Sequence, residues 1–170
     1  MSPSGRGMSR VWLMDEDLLR RAVALAAAAR DSGNQPYGSL LASAAGEVLL
    51  EAQNTEVTES DVTGHAEINL VRLASRAYAR SELVGTTLYA STEPCAMCAA
   101  AIYWSGIGRV VFALAGSELR ALRGDDPENP TLNLSGRDVF AAGQRPIEVL
   151  GPYALPEALE VHRDFWNGAS

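Results

Sequence analysis

The sequence predicts an α/β fold, a three-layer α/β/α sandwich built on a mixed central sheet. Short apolar segments of strand length alternate along the chain with longer segments whose apolar residues recur at helical spacing. The 170 residues, 47% of them hydrophobic, suffice for one globular domain with its own core. We therefore expect a single domain over residues 11–170, preceded by a flexible, Gly- and Ser-rich arm over residues 1–10.

The first half of the chain contains two predicted helices separated by a hairpin. Apolar residues spaced three or four apart mark the first helix, and a glycine ends it. An Ala-Gly pair between two short apolar runs indicates the hairpin turn. The predicted elements are a helix from Asp15 to Gly33, strands over 39–44 and 48–51, a polar loop over 54–64 and a helix over 65–80.

The second half alternates strands with helices in the same way. A proline opens one helix at a position where its missing N–H does no harm, and Ser135 is expected to cap a shorter one. Residues 116–133 are polar, and the run from Gly124 to Pro127 within them is predicted to be a loop. The predicted elements are strands over 86–91, 109–115 and 147–150, and helices from Pro94 to Gly106, from Ser135 to Ala142 and from Pro156 to Trp166.

The charge and hydropathy pattern argues against two classes of partner. There are 21 acidic and 14 basic residues, whereas binding to a phosphate backbone depends on clustered positive charge. Arg72, Arg76 and Arg80 share one helix face, which we interpret as a solvated face rather than an RNA-binding one. The apolar run over 22–29 is too short to span a bilayer, and residues 1–10 lack the apolar core of a signal peptide. We expect a cytoplasmic protein with no membrane partner.

Two motifs at predicted helix starts suggest a metal site. Cys95 and Cys98, the two cysteines of the chain, are three residues apart, so their Cβ atoms would lie about 5–6 Å apart on one side of a helix. That separation suits two thiolates bound to one ion at about 2.3 Å, and His65 would supply a third ligand from another helix. Three protein ligands leave a fourth position for water, which is the pattern of a catalytic Zn²⁺ rather than a structural one.

Glu67 is placed beside this ion rather than on it. It follows His65 by two residues, so the two side chains do not share a helix face. A carboxylate next to a zinc-bound water can act as general acid and base. Taken singly, the C-x-x-C pair could be a redox pair and the H-x-E triplet an accident of a helix start, but their combination favours zinc. His162 has no partner in the sequence and is expected to be a surface or packing residue.

These motifs resemble those of the zinc-dependent cytidine-deaminase superfamily, whose signature is H-x-E followed by P-C-x-x-C. The resemblance runs from about Leu18 to Ala115. It implies that His65, Cys95 and Cys98 bind zinc and that Glu67 shuttles protons. It also implies that zinc hydroxide attacks a ring carbon, that ammonia is released and that the protein forms a homodimer.

Within the superfamily, the chain resembles the bacterial guanine-deaminase-like enzymes of nucleobase metabolism. The resemblance implies that Tyr37 stacks on the base, that Asn54 hydrogen-bonds it and that Trp104 walls the pocket. It further implies a base contact from the segment after the last core strand. The residues it assigns to the substrate are Tyr37, Asn54, Ala66 and Trp104, together with Asp126 or Glu128. Trp166 is a candidate for capping the pocket, with a packing role as the alternative.

The favoured function is therefore hydrolytic deamination of a free nucleobase or of a related aminated heterocycle. The favoured reaction is the conversion of guanine to xanthine. The alternatives are a tRNA adenosine deaminase, which the stretch from Ser91 to Cys95 also resembles, and a deaminase of cytosine or of an amino-triazine. The segment from Ala115 to Leu119 departs from the basic segment of the tRNA enzymes. A non-enzymatic zinc module would need a fourth protein ligand, for which the sequence offers no convincing candidate.

Overall fold

The computed structural model describes residues 10–166, so all of the predicted arm except Arg10 lies outside the described residues. The helices are α1 (Arg10–Asp31), α2 (Glu56–Glu59), α3 (Ala66–Ala77), α4 (Arg80–Leu83), α5 (Ala96–Ser105), α6 (Gly116–Arg123), α7 (Gly136–Ala141) and α8 (Pro156–Arg163). The strands are β1 (Gly38–Ala42), β2 (Val48–Gln53), β3 (Thr87–Thr92), β4 (Arg109–Leu114) and β5 (Glu148–Leu150).

The five strands form one mixed sheet in the order β2-β1-β3-β4-β5. Strand β1 is antiparallel to both β2 and β3, as the predicted hairpin requires. Strands β3, β4 and β5 are parallel to one another, so the chain must cross over between them through helices. The mixed sheet confirms the predicted fold class.

Helices cover both faces of the sheet, because the strand residues alternate between two apolar layers. On β4, Val111 faces the layer that contains residues of α1, α6 and α8, whereas Val110 and Phe112 face the layer that contains residues of α3, α5 and α7. Both layers are fully apolar at their centre, so the sheet is buried on both sides. The three-layer arrangement follows from this alternation.

A close approach between α1 and β1 depends on Gly38. A Cβ atom at this position would lie 2.4 Å from the carbonyl oxygen of Ala22 and 2.5 Å from the amide nitrogen of Ala26. Both alanines are completely buried. The absence of a side chain at Gly38 therefore sets the distance between helix and sheet.

Two predicted helices have different bounds in the structure. Helix α1 begins at Arg10 rather than near Asp15, whose carboxylate forms a buried ion pair with Arg109. The second predicted helix ends at Ala77, where Tyr78 is extended (φ −132°, ψ 146°), and α4 follows separately.

The predicted loop over 54–64 contains the helix α2, and the polar stretch over 116–133 contains the unpredicted helix α6, which ends just before the predicted loop over 124–127. The second of these corrections has a local cause. The Glu118 carboxylate accepts a hydrogen bond from the N–H of Ala115 (3.3 Å), which satisfies one backbone donor at the helix start. Helix α6 has eight residues, of which only Leu119 is buried, so it is too short and too polar to be predicted from its apolar residues.

Asp15 connects α1 to the sheet through a buried polar cluster. Its two carboxylate oxygens accept hydrogen bonds from the Arg109 guanidinium at 3.0 and 2.7 Å. The Tyr89 hydroxyl donates to the same carboxylate at 2.7 Å, and the Tyr153 hydroxyl at 3.1 Å. Burial would raise the pKa of Asp15, but the hydrogen bonds from Arg109 and Tyr89 outweigh it and hold the pKa below its ordinary value. The cluster joins α1, β3, β4 and the segment before α8.

None of the helices within residues 10–166 combines the length and the apolar character needed to cross a membrane.

Replacing Asp15 by Asn should lower the free energy of unfolding by about 3 kcal/mol, because Arg109 would lose its buried carboxylate partner. Urea denaturation at neutral pH measures the change. Asp17→Asn, at an exposed position on the same helix, is the matched control and should shift stability by less than about 0.5 kcal/mol.

Since the pKa of Asp15 is lowered in the folded state, its stabilisation is present above the ordinary aspartate pKa and is lost as the pH falls through the lowered value. The D15N variant and the wild type should therefore converge in stability in strong acid. A constant difference down to that pH would contradict the ionic role of Asp15.

Candidate metal centre and substrate cavity

Two helix starts bring the predicted metal ligands together. His65 is the residue immediately before α3, and Cys95 the residue immediately before α5. Cys98 lies one turn into α5 and is completely buried. The apolar residues Leu70 of α3 and Ala99 of α5 belong to the same core cluster, which holds the two helix starts against each other.

The geometry of the three side chains suits a tetrahedral zinc ion. His65 Nδ1 lies 3.5 Å from Cys95 Sγ and 3.4 Å from Cys98 Sγ. All three ligand atoms lie within 4.8 Å of one another. Zn–N and Zn–S bonds of ordinary length meeting at a tetrahedral angle would separate nitrogen and sulfur by about 3.5 Å. Two thiolates and one imidazole therefore fit Zn²⁺ and leave the fourth position open.

The metal-free ligands already carry opposite charges. A hydrogen bond with Cys98 lowers the pKa of Cys95 to about 4, against the effect of burial and with help from His65. Burial would lower the pKa of His65, but its interactions with Cys95 and Glu67 raise it to about 9. The hydrogen bond with Cys95 and burial raise the pKa of Cys98. A bound cation would replace the protons on His65 and Cys98, so metal binding releases protons.

Glu56, which sequence reasoning did not single out, orients the histidine. Its Oε2 lies 3.6 Å from His65 Nε2, on the side of the ring away from the cysteines. The same oxygen accepts a hydrogen bond from Asn54 Nδ2 at 2.8 Å, and the Glu56 N–H donates to Asn54 Oδ1 at 3.1 Å. A carboxylate at the second ring nitrogen fixes the orientation of a metal-binding imidazole. No spacing rule identifies this acid, because it lies on the four-residue helix α2, nine residues before His65 and outside the H-x-E motif.

Glu67 lies beside the three ligands and is almost completely buried (5% exposed). The Cys98 thiol contacts its Oε2 at 3.6 Å. Burial raises the pKa of Glu67 to about 7, with the His65 charge opposing the shift. The carboxyl group can therefore both accept and donate a proton near neutral pH.

A cavity of about 380 Å³ opens over the metal centre, at the carboxyl ends of β3 and β4. This volume suits a small planar ligand. Tyr37, His65, Glu67 and Cys95 are among the predicted site residues that line it. Its remaining lining comes from Gln35, Glu56, Val62, Thr92, Glu93, Pro94, Met97, Gly116, Leu119, Arg120, Arg123, Asn129, Pro130, Thr131, Leu132, Leu134 and Ser135.

Five predicted substrate residues do not line this cavity in the single chain. Asn54 and Ala66 are completely buried, and the Asn54 amide is engaged with Glu56. Trp104 is 70% exposed and packs edge-on against Tyr103 at 5.3 Å. Asp126 and Glu128 are exposed, and Asp126 Oδ1 accepts a hydrogen bond from the Glu128 N–H at 3.0 Å. Their roles in substrate binding stay predictions.

The segment over 116–135 forms one wall of the cavity, which its polar sequence did not predict. Arg120 and Arg123, one turn apart on α6, both line this wall. The Arg123 guanidinium lies 4.3 Å from the centre of the Trp166 ring, and one of its nitrogens donates to the Asn129 carbonyl at 3.2 Å. Trp166 therefore packs against Arg123, which lines the cavity. An eight-residue polar helix with a single buried residue is too short for its apolar pattern to predict this wall.

His162 packs behind the cavity, which confirms the packing alternative for this residue. It is completely buried, and its ring meets the ring of Tyr37 edge-on at 5.2 Å. Burial, together with the nearby Arg123 charge, lowers the pKa of His162 to about 4. The imidazole is therefore neutral at physiological pH.

The comparisons with known proteins agree with the site. The family model described as "Cytidine and deoxycytidylate deaminase zinc-binding region" matches residues 13–114. The chain is 42% identical over 163 residues to a probable cytosine deaminase of Schizosaccharomyces pombe, covering 95% of this chain and 99% of the relative.

Shorter matches join two other kinds of deaminase. Identity is 35% over 112 residues to a guanine deaminase of Bacillus subtilis, covering 65% of this chain and 71% of the relative. The sequence identity is 37% over 108 residues to a tRNA-specific adenosine deaminase of Haemophilus influenzae, and this alignment covers 64% of this chain and 62% of the relative. The solved guanine deaminase of Nitrosomonas europaea superposes with a TM-score of 0.70 over 98% of both chains at 20% identity, a likeness of fold.

The buried His162 predicts a pH dependence of stability. Its pKa is lowered from about 6.5 to about 4 in the folded state, so the unfolded chain binds the proton more tightly. Stability is therefore complete above pH 6.5 and falls as the pH drops towards 4, by about 3 kcal/mol. His162→Gln should remove this part of the pH dependence in chemical denaturation, while other groups contribute to both proteins and cancel. Equal slopes in the two proteins would show that His162 is not buried in its neutral form.

Proposed function

Because the chain belongs to the cytidine and deoxycytidylate deaminase zinc-binding family, we propose that it hydrolyses the exocyclic amino group of a small free nucleobase, with cytosine as its leading substrate. The reaction consumes water and releases ammonia, and cytosine would become uracil. This proposal places cytosine ahead of guanine, which the sequence alone favoured.

One observation carries the choice of cytosine. The cavity wall over 116–135 lies beyond residue 114, where the match to the family model ends. The alignment with the probable cytosine deaminase covers 95% of the chain and must include that wall, whereas the guanine and tRNA deaminase alignments cover about two thirds. Because a ligand-binding wall determines which heterocycle fits, the relative that shares it is the better guide to the substrate.

The residues of the site are suited to this hydrolysis. His65, Cys95 and Cys98 would hold the zinc ion, which supplies Lewis-acid activation of water at neutral pH. Glu67 would take a proton from that water and give it to ring nitrogen N3 of cytosine. It would then take the second proton, from the hydroxyl group added to the ring carbon, and give it to the departing amino nitrogen, which leaves as ammonia. Tyr37 offers an aromatic surface at the cavity wall on which a planar base can pack. Glu56 keeps His65 Nδ1 directed at the cysteines.

Guanine is the second candidate, supported by the Bacillus subtilis relative and by a cavity of about 380 Å³, which can also hold a purine. A tRNA substrate has weaker support. The three arginines predicted to share one helix face do not lie on one helix, because Arg80 is on α4. Arg72 lies 3.7 Å from Asp61 and donates a hydrogen bond to Thr63 at 2.8 Å. Its charge is therefore partly compensated within the chain.

We also infer a homodimer, because several apolar side chains around the cavity mouth are exposed: Val62, Met97, Leu132 and Leu134. A partner surface over them would shield the cavity from solvent.

A substrate panel tests the proposed reaction. Zinc-loaded protein should release ammonia from cytosine with a higher kcat/KM than from guanine, adenine or ammeline, and much faster than from cytidine. An ammonia assay coupled to product identification measures each rate. Higher kcat/KM with guanine would replace cytosine by the second candidate, and reaction with polynucleotides alone would refute the proposal.

Glu67→Gln separates metal binding from proton transfer. We expect this variant to keep one zinc per chain, because Glu67 is not among the three ligands, and to lose at least about 100-fold in kcat, because general acid–base catalysis contributes about that much. His65→Ala is the contrasting variant and should lose both zinc and activity. Elemental analysis and the ammonia assay measure the two quantities. Full activity of E67Q would contradict the proton-transfer role.

A further inference from the structure

A chain of three hydrogen-bonded side chains ends at the cavity wall, outside the metal centre. The Trp166 indole Nε1 donates to His162 Nδ1 at 3.3 Å, and His162 Nε2 lies 3.3 Å from Thr92 Oγ1. His162 is completely buried and Thr92 is buried, while Thr92 also lines the cavity. The proposed reaction does not use any of these three residues, so their arrangement calls for a separate explanation.

The Trp166 indole determines the direction of both hydrogen bonds that connect Trp166, His162 and Thr92. An indole N–H is a donor and never an acceptor, so His162 Nδ1 must carry a lone pair and accept. A neutral imidazole then holds its proton on Nε2. His162 Nε2–H therefore donates to Thr92 Oγ1. The imidazole is neutral because it is buried close to the cationic Arg123.

With its oxygen already accepting from His162, the Thr92 hydroxyl can offer its own proton to another group. Among residues 10–166, the structure shows no acceptor for that proton. Thr92 belongs to the cavity lining, where Arg120 and Arg123 are also hydrogen-bond donors without a carboxylate partner among the described residues. The neighbouring Glu93 carboxylate lines the cavity too, but its Oε2 accepts a hydrogen bond from the Gly116 N–H at 2.9 Å. The three donor residues would match a ligand edge that carries acceptors.

We propose that Thr92 donates a hydrogen bond to the exocyclic oxygen of the bound nucleobase, and that His162 and Trp166 are positioning residues that fix the direction of this bond. The inference rests on the proposed function and deepens it. The substrate class becomes an amino-substituted heterocycle with an oxo group. The amino group would be directed at the metal centre and the oxo group at Thr92.

A purely structural role for the three residues makes a different prediction. If the chain only holds α8 against β3, removing the Thr92 hydroxyl lowers stability but affects all ligands alike. If Thr92 hydrogen-bonds the oxo group, the loss of kcat/KM depends on whether the ligand has that group. The comparison of two ligands therefore separates the two roles.

The experiment compares cytosine with 4-aminopyrimidine, which keeps the reacting carbon and amino group but lacks the oxygen. For zinc-loaded Thr92→Val, kcat/KM with cytosine should fall about tenfold or more, because a buried acceptor loses its donor. With 4-aminopyrimidine, kcat/KM, or the inhibition constant if turnover is slow, should change less than about twofold, the spread that a neutral substitution produces. Thr92→Ser should restore the cytosine value. Thr87→Val, at the other end of β3, is the matched control and should change neither ligand.

The positioning residues are tested in the same assay. His162→Gln can still donate from its amide and should stay near the wild-type cytosine value, whereas His162→Phe fills the space without a donor and should behave as T92V does. Nitrogen-15 NMR of the imidazole gives a readout independent of turnover, with protonated Nε2 and unprotonated Nδ1 expected for His162.

Three results would overturn the inference. One is an equal loss of kcat/KM for both ligands in T92V. Another is a proton on His162 Nδ1 in the NMR spectrum. The third is a wild-type enzyme that deaminates no free base, which would refute the proposed function itself. If guanine is the substrate, guanine and 2-aminopurine form the equivalent pair of ligands, since 2-aminopurine lacks the oxygen.

Discussion

The packing of α3 against α5 is the constraint on which the rest of the site depends. His65 and Cys95 precede these helices directly, so the apolar contact between Leu70, Ala99 and their neighbours determines where the ligand atoms lie. The nitrogen–sulfur distances of 3.4 and 3.5 Å are therefore a product of core packing. The metal centre needs no dedicated loop, because two helices that are buried for reasons of stability already place its three ligands.

The two faces of the sheet contribute differently to the site. The α3–α5 face supplies the metal ligands and Glu67, while the opposite face supplies α6 and α8, with Arg123 and His162. The two sets meet at the carboxyl ends of the parallel strands, where Thr92 ends β3. Under the proposed function, reaction chemistry and ligand recognition would thus come from separate layers. A change in one layer can alter the preferred heterocycle while the metal centre keeps its geometry.

The sequence was sufficient for the fold class and for the residues brought together as a metal centre, because both depend on local patterns. Periodic apolar residues define the helices and strands, and C-x-x-C has a fixed geometry at a helix start. Glu56, Thr92 and α6 could not be found in this way. Glu56 and Thr92 acquire their importance from partners 9 and 70 residues away, His65 and His162. Helix α6 has one buried residue, so its start depends on the local bond between Glu118 and Ala115.

The missing side chain at Gly38 has an effect that reaches beyond the helix it accommodates. Gly38 follows Tyr37 directly, and the backbone of α1 lies against it. The depth to which the Tyr37 ring enters the cavity is consequently governed by a helix that supplies no ligand, acid or base. If Tyr37 packs on a planar substrate ring, as proposed, the contact between α1 and Gly38 also limits the space available to that ring. Redesign of the enzyme for bulkier rings would then begin at the packing contact between α1 and β1. Inspection of the cavity alone would not suggest this position.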